Sequence, residues 1–264
     1  MNLDTYVEKT WCPCCGNFAI FEAFKRAIAL LIKEGVAKEK IVVVSDIGCN
    51  SKIVDYLDLN SFSALHGRAI ASAEGIKLAS PDLKVIVFIG DGGCYNEGIS
   101  HFIHAAKRNI DITVLVLNNS NFALTTGQFT ATSPYGFKGP STPEGNVESP
   151  LNPLKLALAS QATFIARGYA LKIKHLENLI IQAINHQGFS FIDVLMSCLS
   201  FFDQTLFYNQ NIYEIKEKNL TSQKEALKKI EEWDYNNLTE NQKIPIGIFY
   251  KIQKPTYEEK FLEN

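Results

Sequence analysis

Residues 84–93 read KVIVFIGDGG, an apolar run of strand length that ends in an aspartate bracketed by glycines. A β-branched run with no polar alternation fits a strand buried on both faces, as in a parallel sheet. Residues 112–119, ITVLVLNN, repeat the plan and end in two asparagines, and Asn96–Arg108 between the two runs carries helical spacing. Outward from this core, Phe18–Lys33 predicts a helix closed by Gly35, Ile41–Val44 a strand, Gly48–Ser51 a turn, and Gly67–Ala79 a helix that stops before Pro81. Downstream, Leu154–Ser160 and Leu176–Asn185 predict helices, and Ala162–Ala166 and Phe189–Leu195 strands. Strands separated by helices of this length imply right-handed crossovers and a mainly parallel sheet with helices on both faces. The expected class is three-layer α/β.

Two stretches depart from the alternation. Asn118–Pro153 is a long loop rich in glycine and proline, and loops of this length in compact domains are usually functional. Beyond Cys198 the chain turns polar: Glu214–Glu232 predicts a Lys/Glu surface helix and Pro245–Tyr250 a late strand. Residues 1–200 therefore read as the ligand-binding domain, and residues 201–264 as an extension packing on the core or on a partner subunit. The 264-residue chain is 46% hydrophobic and 20% charged, which is ordinary globular composition. With 26 Lys and Arg against 28 Asp and Glu, it has no basic excess for gripping a phosphate backbone, so no nucleic-acid partner is expected. No apolar run approaches the roughly 20 residues of a membrane span, and the acid at position 4 is unlike a signal peptide, so no membrane partner and a cytoplasmic location are expected.

The chemistry gathers at strand ends. In an open parallel sheet ligands sit beyond the carboxyl ends of the strands, where Gly90-Asp91-Gly92-Gly93 and Asn118-Asn119 fall. Glycines allow close approach of a phosphate, and a following helix points its N-terminus at it. Asp91 and Asn119 supply oxygens that suit Mg²⁺ shared with a diphosphate. For GDG alone, a capped strand–helix turn is the simpler reading; with 25 residues (93–117) separating Gly92 from Asn118, the pair resembles the thiamine-diphosphate motif. Three of six cysteines crowd into Trp11-Cys12-Pro13-Cys14-Cys15-Gly16, while Cys49 and Cys198 follow predicted strands. Four such thiolates could hold a [4Fe–4S] cluster, and on spacing alone a zinc site or small buried cysteines stand beside it.

Longer stretches carry a family resemblance: TWCPCCGNF, SDIGCNSKI, LHGRAIASAEGIKLASPDLKVIVFIGDGG, HFIHAAKRNIDIT, NNSNFALTTGQ, HQGFSFIDVLMSC, and late IPIGIFY and PTYEE. The chain resembles the β subunits of the 2-oxoacid:ferredoxin oxidoreductases over nearly its whole length. The resemblance implies a thiamine-diphosphate-binding fold and CoA-dependent oxidative decarboxylation of a 2-oxoacid, pyruvate or 2-oxoglutarate, with electrons passed to ferredoxin. It implies Cys12, Cys15, Cys49 and Cys198 as cluster ligands. Asp91, the Asn119 side chain and the Asn121 carbonyl would be the Mg²⁺ ligands. It lines the cofactor site with Ile47, Gly48, Cys49, Asn50, His66, Gly67, Arg68, Gly92, Gly93, Ala123 and Leu124. It implies catalytic roles for Lys52, as a cation near the substrate carboxylate, and for His66, as a donor to the diphosphate or substrate. An α-type subunit would supply the pyrimidine-activating glutamate and complete the enzyme. Departures are Cys14 where the family usually has Gly, Gly93 for Asp, Phe122 for Tyr and Phe202 for Asn.

Two other functions are open on the sequence. One is a non-oxidative thiamine-dependent decarboxylase or lyase subunit with a zinc or vestigial cysteine site. The other is a non-catalytic metal-binding interaction module. Lys52 as a solvated surface lysine and His66 as a helix cap are the bland alternatives for those two residues. His104 and Arg108, four apart on one helical face, read as packing and a C-terminal dipole contact.

Overall fold

A computed structural model of the chain describes residues 2–216, 219–236, 238 and 241–262. Eight strands form one sheet in the order β2-β1-β3-β4-β6-β5-β8-β7. These are β1 (Ile41–Ser45), β2 (Asn60–Ser63), β3 (Lys84–Gly90), β4 (Ile112–Asn118), β5 (Phe164–Tyr169), β6 (Ser190–Leu195), β7 (Ile212–Glu214) and β8 (Ile244–Lys251). All neighbouring pairs are parallel except β5 and β8, which run antiparallel. The helices are α1 (Gly16–Lys33), α2 (Ile53–Tyr56), α3 (Ala69–Ala79), α4 (Ile99–Arg108), α5 (Pro153–Ala159), α6 (Ile173–Ile184), α7 (Thr205–Asn211), α8 (Gln223–Ile230) and α9 (Tyr257–Leu262).

Alternation along the strands sorts side chains into two cores. Val85, Val87 and Ile89 of β3 join Val114, Val116 and Phe191 beneath α3, α4 and α5. Ile86 and Phe88 join Leu115, Leu117 and Ile192 on the opposite face, beneath α1 and α6. The sheet is thus covered on both faces, which is why its central strands read as unbroken apolar runs. Among the described residues no helix is long and apolar enough to cross a membrane.

Two readings need correction, and one strand was not expected. Glu214–Glu232 is not one helix: Ile212–Glu214 pairs with β8, and α8 begins only at Gln223, where the Ser222 hydroxyl accepts the Glu225 N–H (3.3 Å). That Ser-x-x-Glu start has the sequence of a capping box, and its serine half is formed, which fixes the helix terminus more sharply than the charge pattern does. Residues 217 and 218 of that predicted helix lie outside the described residues. The predicted Asn96–Arg108 helix is split into a π-helical turn, Gly92–Glu97, and α4, with Gly98 between them. A Cβ on Gly98 would lie 2.5 Å from the Gly67 carbonyl oxygen, so two loops meet there at backbone distance. Finally, β2 pairs with β1 at the sheet edge although all four of its residues are exposed, leaving no apolar periodicity to announce it.

Candidate active site

Strand order decides where a ligand fits. From β1 the chain passes to β2 on one side, then crosses to β3 on the other, so the loops leaving β1 and β3 diverge and open a crevice. The turn after β1 (Ile47, Gly48, Cys49, Asn50) and the Gly90–Gly93 turn after β3 form its walls, joined by His66 and by Asn119, Asn121, Ala123 and Leu124 beyond β4. A Cβ on Gly92 would lie 2.1 Å from Phe122 Cε1, and one on Gly93 2.0 Å from Asp46 Oδ2. Only glycine lets this turn sit so close to its neighbours, and no Asp fits at position 93 without displacing Asp46.

Asp91 is buried, and its Oδ2 accepts the Thr130 hydroxyl (2.5 Å) and the Thr132 hydroxyl (3.0 Å), which also lies 3.0 Å from Asn118 Oδ1. Burial pushes the carboxyl up to about 6 against the pull of those hydroxyls and of the Asn119 N–H. A divalent cation would supply the missing compensation. Asn119 Oδ1 accepts the Asn121 N–H (3.1 Å), and the Asn121 carbonyl accepts from Ala123 (3.0 Å) with a lone pair to spare. Asn121 Oδ1 is buried without a partner, an orphan that a bound ligand could satisfy. Asp91, Asn119 and Asn121 all line the cleft, and oxygens of this kind are a hard donor set suited to Mg²⁺.

Beside the cleft lies a cavity of about 240 Å³ lined by Cys12, Cys15, Cys49 and Cys198. They come from the segment before α1, the turn after β1 and the turn after β6. The Ser200 hydroxyl lies 3.9 Å from the Cys12 sulfur, and Trp11 Nε1 donates to the Cys49 carbonyl (2.7 Å), which ties the three loops together. Burial pushes the Cys15 thiol up to about 11; the Asn17 N–H on its sulfur opposes this, and Cys49, Cys12 and Cys198 push the same way as burial. Burial raises the Cys49 thiol as well, and there too Cys198 and Cys12 push the same way while the Lys52 ammonium opposes it. Among the described residues, no three His, Cys, Asp or Glu side chains close on a single ion.

The other expected residues divide. Cys14 is exposed at φ 61° and opens onto a different cavity beside Tyr169 and Leu171, and Cys94 is buried in the core. Lys52 lines the cysteine cavity rather than the cleft, with its ammonium donating to the Thr10 hydroxyl (3.0 Å) and carbonyl (3.3 Å). Gly67 and Arg68 do not line the cleft: Gly67 gives its N–H to Asp46 (3.3 Å), and Arg68 turns to the Glu97 carbonyl (2.8 Å). His66 does line it, with Nδ1 3.2 Å from Asp46 Oδ2, a contact that raises the imidazole pKa. Sequence reasoning missed Asp46, Asn17, Thr130 and Thr132. The threonines lie in the loop singled out for its length, whereas Asp46 and Asn17 carry no local signal beyond their place beside Cys49 and Cys15.

The family described as "Thiamine pyrophosphate enzyme, C-terminal TPP binding domain" matches residues 46–194. A second family, the C-terminal part of the pyruvate ferredoxin oxidoreductase beta chain, matches residues 198–263. The chain is 42% identical to the 2-oxoacid:ferredoxin oxidoreductase subunit beta of Saccharolobus solfataricus, over 96% of this chain and 86% of that protein. It is 45% identical to the 2-oxoglutarate synthase subunit KorB of Archaeoglobus fulgidus, over 71% of this chain and 69% of that protein. A solved 2-oxoglutarate:ferredoxin oxidoreductase from Magnetococcus marinus, with 2-oxoglutarate, coenzyme A and succinyl-CoA bound, superposes with a TM-score of 0.92 at 32% identity. That match covers 99% of this chain and 87% of the solved one.

Proposed function

The chain belongs to the β subunits of the 2-oxoacid:ferredoxin oxidoreductases, and from that membership we propose that it holds thiamine diphosphate, Mg²⁺ and a [4Fe–4S] cluster. In this reading it serves the CoA-dependent oxidative decarboxylation of a 2-oxoacid, pyruvate or 2-oxoglutarate, with electrons leaving to ferredoxin. The observation that carries the reading is a common wall. Cys49, Asn17, Asn119, Ala123, Leu124 and Met196 line both the cleft and the four-cysteine cavity, so an electron donor in one would lie beside an acceptor in the other.

When bound, thiamine diphosphate supplies the electron sink that cleavage beside a 2-oxo group requires. The protein's part is binding, orientation and exclusion of water. Asp91, Asn119 and the Asn121 carbonyl hold Mg²⁺, and the close-packed Gly92-Gly93 turn admits the diphosphate to backbone distance. His66, kept protonated to higher pH by Asp46, donates toward the diphosphate or the substrate. Lys52, at the cysteine side of the common wall, offers its ammonium to the substrate carboxylate. Among the described residues lining the cleft, Asp91 is the only carboxylate, and its position suits a metal rather than a pyrimidine ring. This supports an α-type partner that brings the activating glutamate. Ile47 and Leu124, about half exposed on the cleft walls at 47% and 49%, give that partner an apolar rim to cover. Residues 1–200 then form the cofactor-binding domain and residues 201–264 the extension.

The test is metal analysis of the assembly purified without oxygen together with its α-type partner. Expected are about four irons per chain with broad thiolate-to-iron absorption. Cys198→Ser should bleach that absorption, and Cys14→Ser and Cys94→Ser should leave it intact. Stoichiometric zinc in an active assembly would overturn the cluster. A colourless, thiamine-loaded assembly that decarboxylates without an electron acceptor would establish the non-oxidative alternative.

A further inference from the structure

Asn17 stands in the first turn of the 18-residue helix α1, two positions past Cys15, within the wall common to the cleft and the cysteine cavity. It is 2% exposed, and its side-chain Oδ1 has no hydrogen-bond partner. A buried amide oxygen is costly to leave unmet, and orphans of this kind mark places where something else is meant to bind. The same residue follows Cys15 in the turn that opens the helix, beside the thiols of the cysteine cavity. No side chain caps α1 and its first turn carries no acid, so the positive end of the helix dipole is left for an anionic neighbour at Cys15. One residue therefore lines both sites.

We propose that Asn17 holds the two sites in register. Its place two residues past Cys15 ties it to the cysteine cavity, and its carboxamide oxygen accepts a hydrogen bond from an O–H or N–H of the molecule in the cleft, on the side facing the cysteines. Two donors share that chemistry: the exocyclic amine of thiamine diphosphate, present before substrate, and a hydroxyl derived from the 2-oxo oxygen of the substrate. The inference rests on the cluster reading for its first half only. The second half stands on the cleft alone.

The experiment uses the holo α–β assembly without oxygen. Asn17→Leu, of similar size, removes the carboxamide; Asn17→Ala removes it without added bulk, should leucine disturb assembly. Three quantities are read: thiamine diphosphate affinity without substrate, the single-turnover rate at which the 2-oxoacid bleaches the cluster, and bleaching by dithionite. The expected result is full iron content, unchanged dithionite bleaching and at least a tenfold slower response to the 2-oxoacid. An accompanying tenfold loss of thiamine diphosphate affinity assigns the donor to the cofactor amine, and unchanged affinity assigns it to the substrate. Asn17→Asp, which keeps an acceptor oxygen in place, should recover most of the rate. Normal cofactor affinity and normal substrate-driven bleaching in both Asn17→Leu and Asn17→Ala would overturn the proposal. Iron-free protein from the unaltered chain would instead refute the cluster, while the affinity measurement still decides the role of the side chain.

Discussion

Asp46, buried at the end of β1, ties three loops to one carboxylate. Oδ1 accepts from Asn50 Nδ2 (3.0 Å), Oδ2 lies against the Gly67 N–H and His66 Nδ1, and the backbone of Gly93 packs against it. Its hydrogen bond raises the His66 pKa above 6.5, while partial burial of the ring opposes the shift. The pair therefore stabilises the fold in full below pH 6.5, and that contribution is lost as pH rises through the elevated value. Asp46→Asn should bring the imidazole pKa down, because burial then acts without the opposing carboxylate. An NMR titration of the His66 ring checks this, and an unmoved titration would show that Asp46 does not set it. Nothing local distinguishes this aspartate from an ordinary strand-end cap, and for that reason the sequence does not single it out.

At the scale of the element, the long loop after β4 reaches Asp91 from a distance in sequence. Thr130 and Thr132 reach back 39 and 41 positions to Asp91, and the Ser133 hydroxyl donates to the Ser120 carbonyl (2.6 Å) and pins the loop in place. Asp91→Ala should abolish Mg²⁺-dependent retention of thiamine diphosphate while the far-ultraviolet circular dichroism stays native. Thr132→Val deletes one hydroxyl at nearly constant volume. A hydrogen bond to a charged group contributes about 1.5–3 kcal/mol, so the Mg²⁺ concentration for half-maximal retention should rise roughly tenfold or more. Equilibrium dialysis measures both variants, and unchanged Mg²⁺ dependence in Asp91→Ala would move the metal elsewhere. The same scale explains the misread tail. Ile212–Glu214 becomes a strand because β8 offers it backbone partners, an option that no charge pattern within residues 214–232 reveals.

Across the whole molecule, a buried polar chain joins the C-terminal segment to Asp91. The Arg167 guanidinium, fully buried on β5, lies 4.9–5.3 Å from the rings of Trp233, Tyr235 and Phe249 and donates to the Tyr235 hydroxyl and the Pro245 carbonyl (both 3.1 Å). Tyr235 donates to Asp193, which also accepts from Asn118 Nδ2 (3.1 Å), and Asn118 meets the Thr132 hydroxyl beside Asp91. Breaking a buried charge network from one end typically costs about 3–5 kcal/mol. Arg167→Leu should therefore lower the urea midpoint markedly, and Tyr235→Phe, which removes one hydroxyl, should lower it far less. Equal midpoints would show that the network contributes nothing to stability. By itself the sequence determined the central strands, the helices between them, the GDGG and Asn-Asn strand ends and the Cys-x-x-Cys loop, because each is written in a local period or a short motif. Only the tertiary structure decided that Cys12, Cys15, Cys49 and Cys198 share a cavity while Cys14 and Cys94 do not. It alone turned Gly67 and Arg68 away from the cleft, and it alone brought Asn17, Asp46 and Thr132 to the site. The physical reason is that periodicity encodes which face of an element is buried, whereas the partner met on that face depends on how the sheet is ordered.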